Sequence, residues 1–532
     1  MIRPLRLALI PLDERPVNTA LPVRLGRVAN CEVLLPPREM LGNKKEAGAY
    51  EGLGDWLISV APEVDGLIVS VETLAFGGLI ASRITHTPLE EARGRLAVLR
   101  GIRQSYPQLP IYAFTLVTRI PAYDSDDEEP SYWATYGRRI HEYSQLVDKV
   151  ARHGREEDRK AMEALEAEIP ADVLQDWRWR RERNHRLNLE VLDYVADGVI
   201  DFALITQDDS AEYGVSAAEQ RAIRARVAEL GIEERAVLYP GADEVAMILL
   251  ARHVNAHFGK RPKVYPRYSS TKGPFIIPRY EDRPLAESVK GQIYAAGGVL
   301  VHTPQEANFM LFLNTPGEAQ DEAPRQDRST TVDTPGRNLL DFTEAILHYT
   351  DQGIPAAVAD VAYANGGDTA FVTLLLRRVG LKRLSAYAGW NTAGNTLGTV
   401  VAHASLYNAV GKDASEPVVR RAAQAHLEFL LSRFIEDWGY QAIVRTRLNG
   451  GGLQERGLNP WQLGERWTEA QQIVTEELIR FARETFSDMR ELELTWYGKP
   501  LGVVPEGFVL ENVYLPWRRM FEVGFDLRLV LP

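Results

Sequence analysis

The sequence predicts an α/β fold in which parallel strands alternate with helices, arranged as a barrel or as two doubly wound sheets. A C-terminal helical segment and a small antiparallel sheet complete it. Three observations predict this. Up to about residue 410, short apolar runs of strand length recur, each opening into a polar mouth and then a helical stretch, as parallel βα units do. From Ser415 to Phe486 helical spacing takes over, interrupted by Asn449-Gly-Gly-Gly452. From Leu492 to Pro532 apolar residues alternate in period two between Gly and Pro turns, the pattern of antiparallel strands. A chain of 532 residues exceeds one ordinary core. The expected division is a parallel α/β domain over 1–410 that carries the site, a helical segment over 411–488 and a small β domain over 489–532.

Taken in order, the first strand is the apolar run Leu5 to Leu12, with Asp13, Glu14, Arg15 and Asn18 at its mouth. Glu32 to Leu35 is a short strand, and Tyr50 to Ala61 a helix. Asp65 to Val71 is a buried strand ending in Glu72. Thr87 and Pro88 suit a helix start, and the helix runs to Ser105. Ile111 to Val117 is a strand ending near Arg119. The acidic loop that follows, Asp124 to Glu129, reads as solvated. His141 to Ala196 is long, charged and helical, an insertion over about 140–196 broken at Pro170. Phe202 to Thr206 is a strand running into Asp208 and Asp209. Ala236 to Tyr239 ends in Asp243 and Glu244, and Val264 onward in Arg267 and Tyr268. Phe309 to Leu313 ends at Asn314. Ala356 to Ala359 ends in Asp360, with Asn365 and Asp368 behind it. Leu384 to Ala388 leads to Trp390, Asn391 and Asn395, then a helix from Val400 to Ala409. No close internal sequence repeat is visible.

Composition narrows the function. Net charge is −12 and the ten Trp and 21 Tyr are not interleaved with a basic run, which argues against a nucleic-acid surface and fits a neutral polar ligand such as a sugar. The single cysteine, Cys31, excludes a disulfide framework and a Cys-based zinc site. No apolar stretch approaches the ~20 residues of a membrane span. The short N-terminal run reads as a strand rather than a signal segment. A cytoplasmic protein is expected, with no cofactor and no membrane or nucleic-acid partner.

The strand ends supply the chemistry, since ligands of α/β folds bind there. Two adjacent acids, Asp208 and Asp209, repel each other and their pKa values separate, which suits acid/base work. The bland alternative is two helix-capping aspartates. Asp13, Glu14, Arg15, Asn18, Glu72, Arg119, Asp243, Arg267, Asp360, Asn365, Asp368, Asn391 and Asn395 are candidates to hold hydroxyls, and Trp390 to stack on a ring. No HExxH, P-loop or Gly-x-Ser-x-Gly motif is present. Gly389 to Gly398 reads equally as an anion site at a helix N-terminus and as an Asn/Thr cap. The acid pair resembles that of hexosaminidases using substrate-assisted hydrolysis. That likeness assigns Asp208 to orienting an acetamido group and Asp209 to protonating the leaving group.

Four motifs carry a wider resemblance: Leu9-Ile-Pro-Leu-Asp-Glu-Arg-Pro-Val-Asn18, Pro36-Pro-Arg-Glu-Met-Leu-Gly-Asn43, Ala388-Gly-Trp-Asn-Thr-Ala-Gly-Asn-Thr-Leu-Gly398 and Leu515-Pro-Trp-Arg-Arg-Met-Phe-Glu-Val523. Together they resemble the DUF4127 family of bacterial proteins from end to end. That family's function is unknown, so the resemblance implies no catalytic residue. The residues themselves favour a glycosidase acting on a small, possibly N-acetylated sugar. The alternatives are a metal-assisted hydrolase or isomerase of a small polar substrate, and a non-catalytic carbohydrate-binding protein.

Overall fold

The computed structural model describes residues 4–208 and 210–532. The first sheet is built from β1 (Leu5–Ile10), β2 (Cys31–Leu34), β3 (Gly66–Ser70), β4 (Ile111–Val117), β5 (Phe202–Gln207) and β6 (Ala236–Pro240). Their order is β2-β1-β3-β4-β5-β6 and every pairing is parallel. β3 and β4 are buried along their whole length. Helices cover both faces of such a sheet, so its strands are apolar without alternation.

The second half of the chain continues with β7 (Lys263–Tyr268), β8 (Val299–Leu300), β9 (Phe309–Asn314), β10 (Asp321–Glu322), β11 (Ala356–Asp360), β12 (Tyr363–Ala364) and β13 (Leu384–Ala388). A second parallel sheet runs β13-β11-β9-β7-β8, while β10 and β12 pair separately. Counted from its own first strand, that sheet has the order 2-1-3-4-5. This is the order of the first five strands of the other sheet. The two sheets therefore share one winding, and the fold is the pair of doubly wound sheets rather than the barrel.

The helices after β6 and β13, Val245–His257 and Ala393–Val410, pack on one another and join the halves. Their close approach is a glycine effect. A Cβ on Gly398 would lie 2.0 Å from Glu244 Cγ, and one on Gly394 2.5 Å from the Pro240 carbonyl oxygen. The C-terminal region then crosses back. Helix Glu416–Arg433 packs on helix Ala20–Val28 of the first half and widens into π-type turns over Phe434–Val444. After helix Trp467–Thr485 come the short pair β14 (Thr495–Trp496) and β15 (Lys499–Pro500) and the antiparallel hairpin β16 (Gly507–Tyr514) and β17 (Gly524–Val530). The expected insertion is three helices, Trp133–His153, Glu156–Glu168 and Ala171–Ala196.

His253 sits in the core between the halves. Its ring meets Tyr112 edge-on at 5.8 Å and lies over Gly66, where a Cβ would come within 2.6 Å. Neither ring nitrogen has a hydrogen-bond partner among the described residues. Burial, helped by His257, pushes its pKa down to about 4. A pKa lower in the folded than in the unfolded chain contributes stability that is present above the unfolded value of about 6.5 and is lost as pH falls towards the folded one. Wild type should therefore lose about 2 kcal/mol more stability than His253→Leu between about pH 7.5 and pH 5. Urea unfolding of both proteins at the two pH values checks this. Equal losses would show that His253 is not a buried neutral imidazole.

Candidate functional site

The carboxyl ends of both sheets open on one cavity of about 700 Å3. From the first sheet come Arg15 after β1, Arg119 after β4, Gln207 and Asp208 at β5, and Asp243 after β6. From the second come Tyr280 and Glu281 after β7 and Asn391 and Asn395 after β13, with Asn365 from the separate β10–β12 pair. The C-terminal region closes the wall with Trp461, Trp517, Arg519 and Phe521. In doubly wound sheets ligands bind outside these strand ends, and here two sets of strand ends share one space.

Arg15 is the anchor of one wall. Its Nη2 donates to Asp13 Oδ2 at 2.7 Å and to Asp243 Oδ1 at 2.5 Å, and Nη1 lies 3.7 Å from Glu522 Oε1. Asn18 Nδ2 donates to Asp13 Oδ1 at 2.8 Å and to Asp243 Oδ1 at 3.3 Å. Burial alone would lower the Arg15 pKa, but Asp13, Asp243 and Glu522 hold it well above its usual value. Glu522 is raised to about 7, because burial outweighs Arg15 and Arg519. The same guanidinium lies 4.6 Å from the Trp517 ring centre, and Arg519 lies 4.6 Å from it as well. The Trp517 indole N–H donates to Glu14 Oε1 at 2.7 Å.

A second, largely buried network lines the same cavity and meets the first at Arg519. Arg83 pairs with Glu128, Glu129 and Asp208, Arg119 with Glu128 and Glu129, and Arg519 with Glu128. Burial opposes the charge of Glu128, yet Arg119, Arg519 and Arg83 outweigh it and hold the carboxyl well below the usual carboxylate range. Glu129, with Arg83 and Arg119 alone, is raised by its burial. Buried charges persist only when paired in this way.

Glu281 is the acid of the cavity with no cation beside it in an ion pair among the described residues. Its Oε1 accepts the Gly394 N–H at 2.7 Å and its Oε2 the Ser288 hydroxyl at 2.9 Å. Burial raises it to about 7 against both bonds. Its loop is tied to that of Asp208: Ser210 N donates to the Tyr280 carbonyl at 2.9 Å, and Arg283 Nη2 to Gln207 Oε1 at 2.8 Å. The two readings of Gly389–Gly398 meet here. Thr392 Oγ1 caps the helix by accepting from Asn395 N at 3.3 Å, and the anion at its N-terminus is the chain's own Glu281.

Of the residues expected at the site, Arg15, Arg119, Asp208, Asp243, Asn365, Asn391 and Asn395 line the cavity. Asp13 and Asn18 stand behind Arg15 and position it. Asp209 lies outside the described residues. The others are placed elsewhere. Glu14 opens on a neighbouring cavity. Glu72 is buried in helix Val71–Phe76, where it accepts from Thr115 Oγ1 and Leu116 N, both at 2.8 Å. Arg267 lies within β7 and pairs with Asp341. Asp360 and Asp368 belong to a buried cluster with Asn314, Arg337 and Tyr387, and Asp368 caps helix Thr369–Arg378. Trp390 is 7% exposed and donates its indole N–H to Thr399 Oγ1 at 3.2 Å. It is a core side chain, not a stacking wall. The exposed aromatics at the cavity are Trp461 at 64%, Tyr280 and Tyr123. Among the described residues no three His, Cys, Asp or Glu side chains are arranged to hold a metal ion.

The family described as a protein of unknown function (DUF4127) matches residues 7–526, nearly the whole chain. The chain belongs to the DUF4127 family. It matches no curated protein. No helix among the described residues is long and apolar enough to cross a membrane. In this DUF4127 chain, Arg83, Glu128, Glu129, Glu281, Trp461, Trp517 and Arg519 escape the reading of strand ends. The motif Leu515 to Val523 holds a signal for two of them. In a run expected to be solvated, Glu129 is buried and Glu128 largely so, because Arg119 from the preceding strand end and Arg83 and Arg519 from distant segments converge on them. Arg83→Met would leave Glu129 and Asp208 under-paired, and removing one partner of a buried pair costs about 3–5 kcal/mol. A loss of that size in chemical denaturation is expected, whereas a loss below about 1 kcal/mol would show that the network is effectively solvated.

Proposed function

We propose that this DUF4127 chain is a cytoplasmic glycoside hydrolase-like enzyme, acting on a small polar sugar, with Glu281 as proton donor and Asp208 as the charged partner. Glycoside hydrolysis needs one carboxyl that holds a proton at working pH and another that stays ionised. The observation that carries the reading is Glu281, a cavity-lining acid raised to about 7. Asp208, on the adjoining loop, is ion-paired with Arg83. The proton donor is thus placed on Glu281 instead of on the second acid of the Asp208-Asp209 pair. Exposed Trp461 and Tyr280 supply ring faces, and Asn391 and Asn395 amides for hydroxyls. The single, buried cysteine suits a reducing compartment. N-acetylated substrates remain the first to try, because Asn amides hydrogen-bond acetamido groups well.

Removing a general acid costs on the order of 10²–10⁴ in rate. Glu281→Gln should lose that much on glycosides with poor leaving groups and much less on activated aryl glycosides. A donor must be protonated, so wild-type kcat/KM should fall as pH rises through about 7, and the variant should lack that limb. Asp208→Asn should lower activity on both kinds of substrate. A panel of aryl glycosides, N-acetylated and not, assayed across pH, decides the matter. Turnover of none of them, or an unchanged alkaline limb in Glu281→Gln, would reject the assignment.

A further inference from the structure

A second cavity, of about 800 Å3, lies beside the first and shares Arg15, Asp127, Gln462 and Trp517 with it. Either volume lies within the roughly 300–1,000 Å3 of a complete small-ligand site, so the two together are more than one small molecule fills. Trp517 stands at the waist between them. Its own φ is +54° and that of Arg518 is +52°, two consecutive side-chain-bearing residues in the left-handed region. Such conformations cost of order 1–3 kcal/mol each and persist where the surroundings hold them. Here the holders are the Glu14 carboxylate on the indole N–H and the two guanidinium groups over the ring. Glu14 in turn accepts the Lys44 N–H at 2.9 Å.

The outer cavity has its own charge. Arg15, Arg38, Lys44, Lys45 and Arg518 line it against Glu14, Glu46, Asp126 and Asp127. Lys44 is paired with Asp127 and Arg15 with Asp13, Asp243 and Glu522, while Lys45 meets Asp126 only in a solvent-exposed pair at 3.5 Å, the kind worth little. Arg38 spends its guanidinium on the Leu41 and Gly42 carbonyls, and Arg518 has no carboxylate partner among the described residues. Lys45 and Arg518 are thus the cations of this cavity open to an anionic group.

We propose that the substrate is a linear molecule of at least two units that spans both cavities across Trp517, its outer unit carrying an acidic group, a carboxylate or a phosphate, held by Lys45 and Arg518. This rests on the sugar reading given above and extends it to the substrate's length and charge. The reacting bond lies in the inner cavity, and the outer unit supplies binding energy remote from it.

The test uses full-length protein and three series of probes: N-acetylglucosamine oligomers of one to three units, the same oligomers ending in a glucuronate, and the same ending in a sugar 6-phosphate. Binding is read by calorimetry and cleavage by product release. Going from one unit to two should tighten binding about tenfold or more, the equivalent of 1.4 kcal/mol. One acidic series should add a further gain that shrinks with salt, and whichever does so identifies the group. Arg518→Gln and Lys45→Gln should abolish that gain and leave binding of the one-unit neutral probe unchanged. Equal affinity for all lengths, or an acidic gain untouched by both variants, overturns the proposal. Length- and charge-dependent binding without cleavage would reject the hydrolase reading and leave this one standing. Cleavage without length dependence would do the reverse.

Discussion

The cavity depends on a buried guanidinium. Arg15 leaves the first strand of the chain and is clasped by Asp13 from the same turn and by Asp243 from the far edge strand of the sheet. Taking these charges out of water is costly, and only mutual pairing offsets it. The pairing therefore fixes how the mouth of β1 and the mouth of β6 stand relative to one another. The same cation stacks on Trp517, so the last residues of the chain are registered against the first. A hydrophobic contact would have held these segments together without specifying their positions so closely.

Against that fully paired frame, the differing state of the carboxyls acquires meaning. Glu128 has three arginines and is held as a carboxylate; Glu281 has a backbone N–H and a hydroxyl and sits near neutrality. Glu281 is buried and Glu128 keeps only 13% of its side chain exposed, so burial alone does not separate them. What separates them is direct pairing: three guanidinium groups bond Glu128, whereas Arg283 acts on Glu281 without an ion pair. Two environments within one cavity, one enforcing charge and the other relieving it, are what acid/base chemistry requires of two carboxyls.

The period and length of the apolar runs made the alternation of strand and helix legible, because each buried strand must be apolar throughout and each helix amphipathic. They could not separate a barrel from two sheets. That choice lies in strand order, which depends on which helix packs where; the Gly398 contact with Glu244 joins segments distant in sequence. At the site, Arg15, Asp243 and Asn395 were legible because each sits directly at a strand end. Trp390 and Asp360 sit at strand ends too, but their neighbours on the second sheet enclose them. Glu128 looked solvated because its partners Arg83 and Arg519 are remote in sequence. Glu281 lay inside a mixed-charge stretch, Arg279 to Arg283, too far beyond the end of β7 at Tyr268 to be flagged as its mouth.

Glu281 also shows how one element balances opposed effects. The N-terminus of helix Ala393–Val410 favours a negative charge near it, and the Gly394 N–H is donated straight to the carboxyl. Burial disfavours that charge more strongly, and the outcome lies near 7. Were the helix start moved away, only the Ser288 hydroxyl and the charge of Arg283 would be left to stabilise its anion. Were a cation placed there, as at Glu128, the proton would be lost. Gly394 permits the balance, since a side chain at that position would strike the Pro240 carbonyl and push the helix from the strand end. The glycine-rich motif after β13 thus brings a helix N-terminus close enough to one carboxyl to offset part of the effect of its burial.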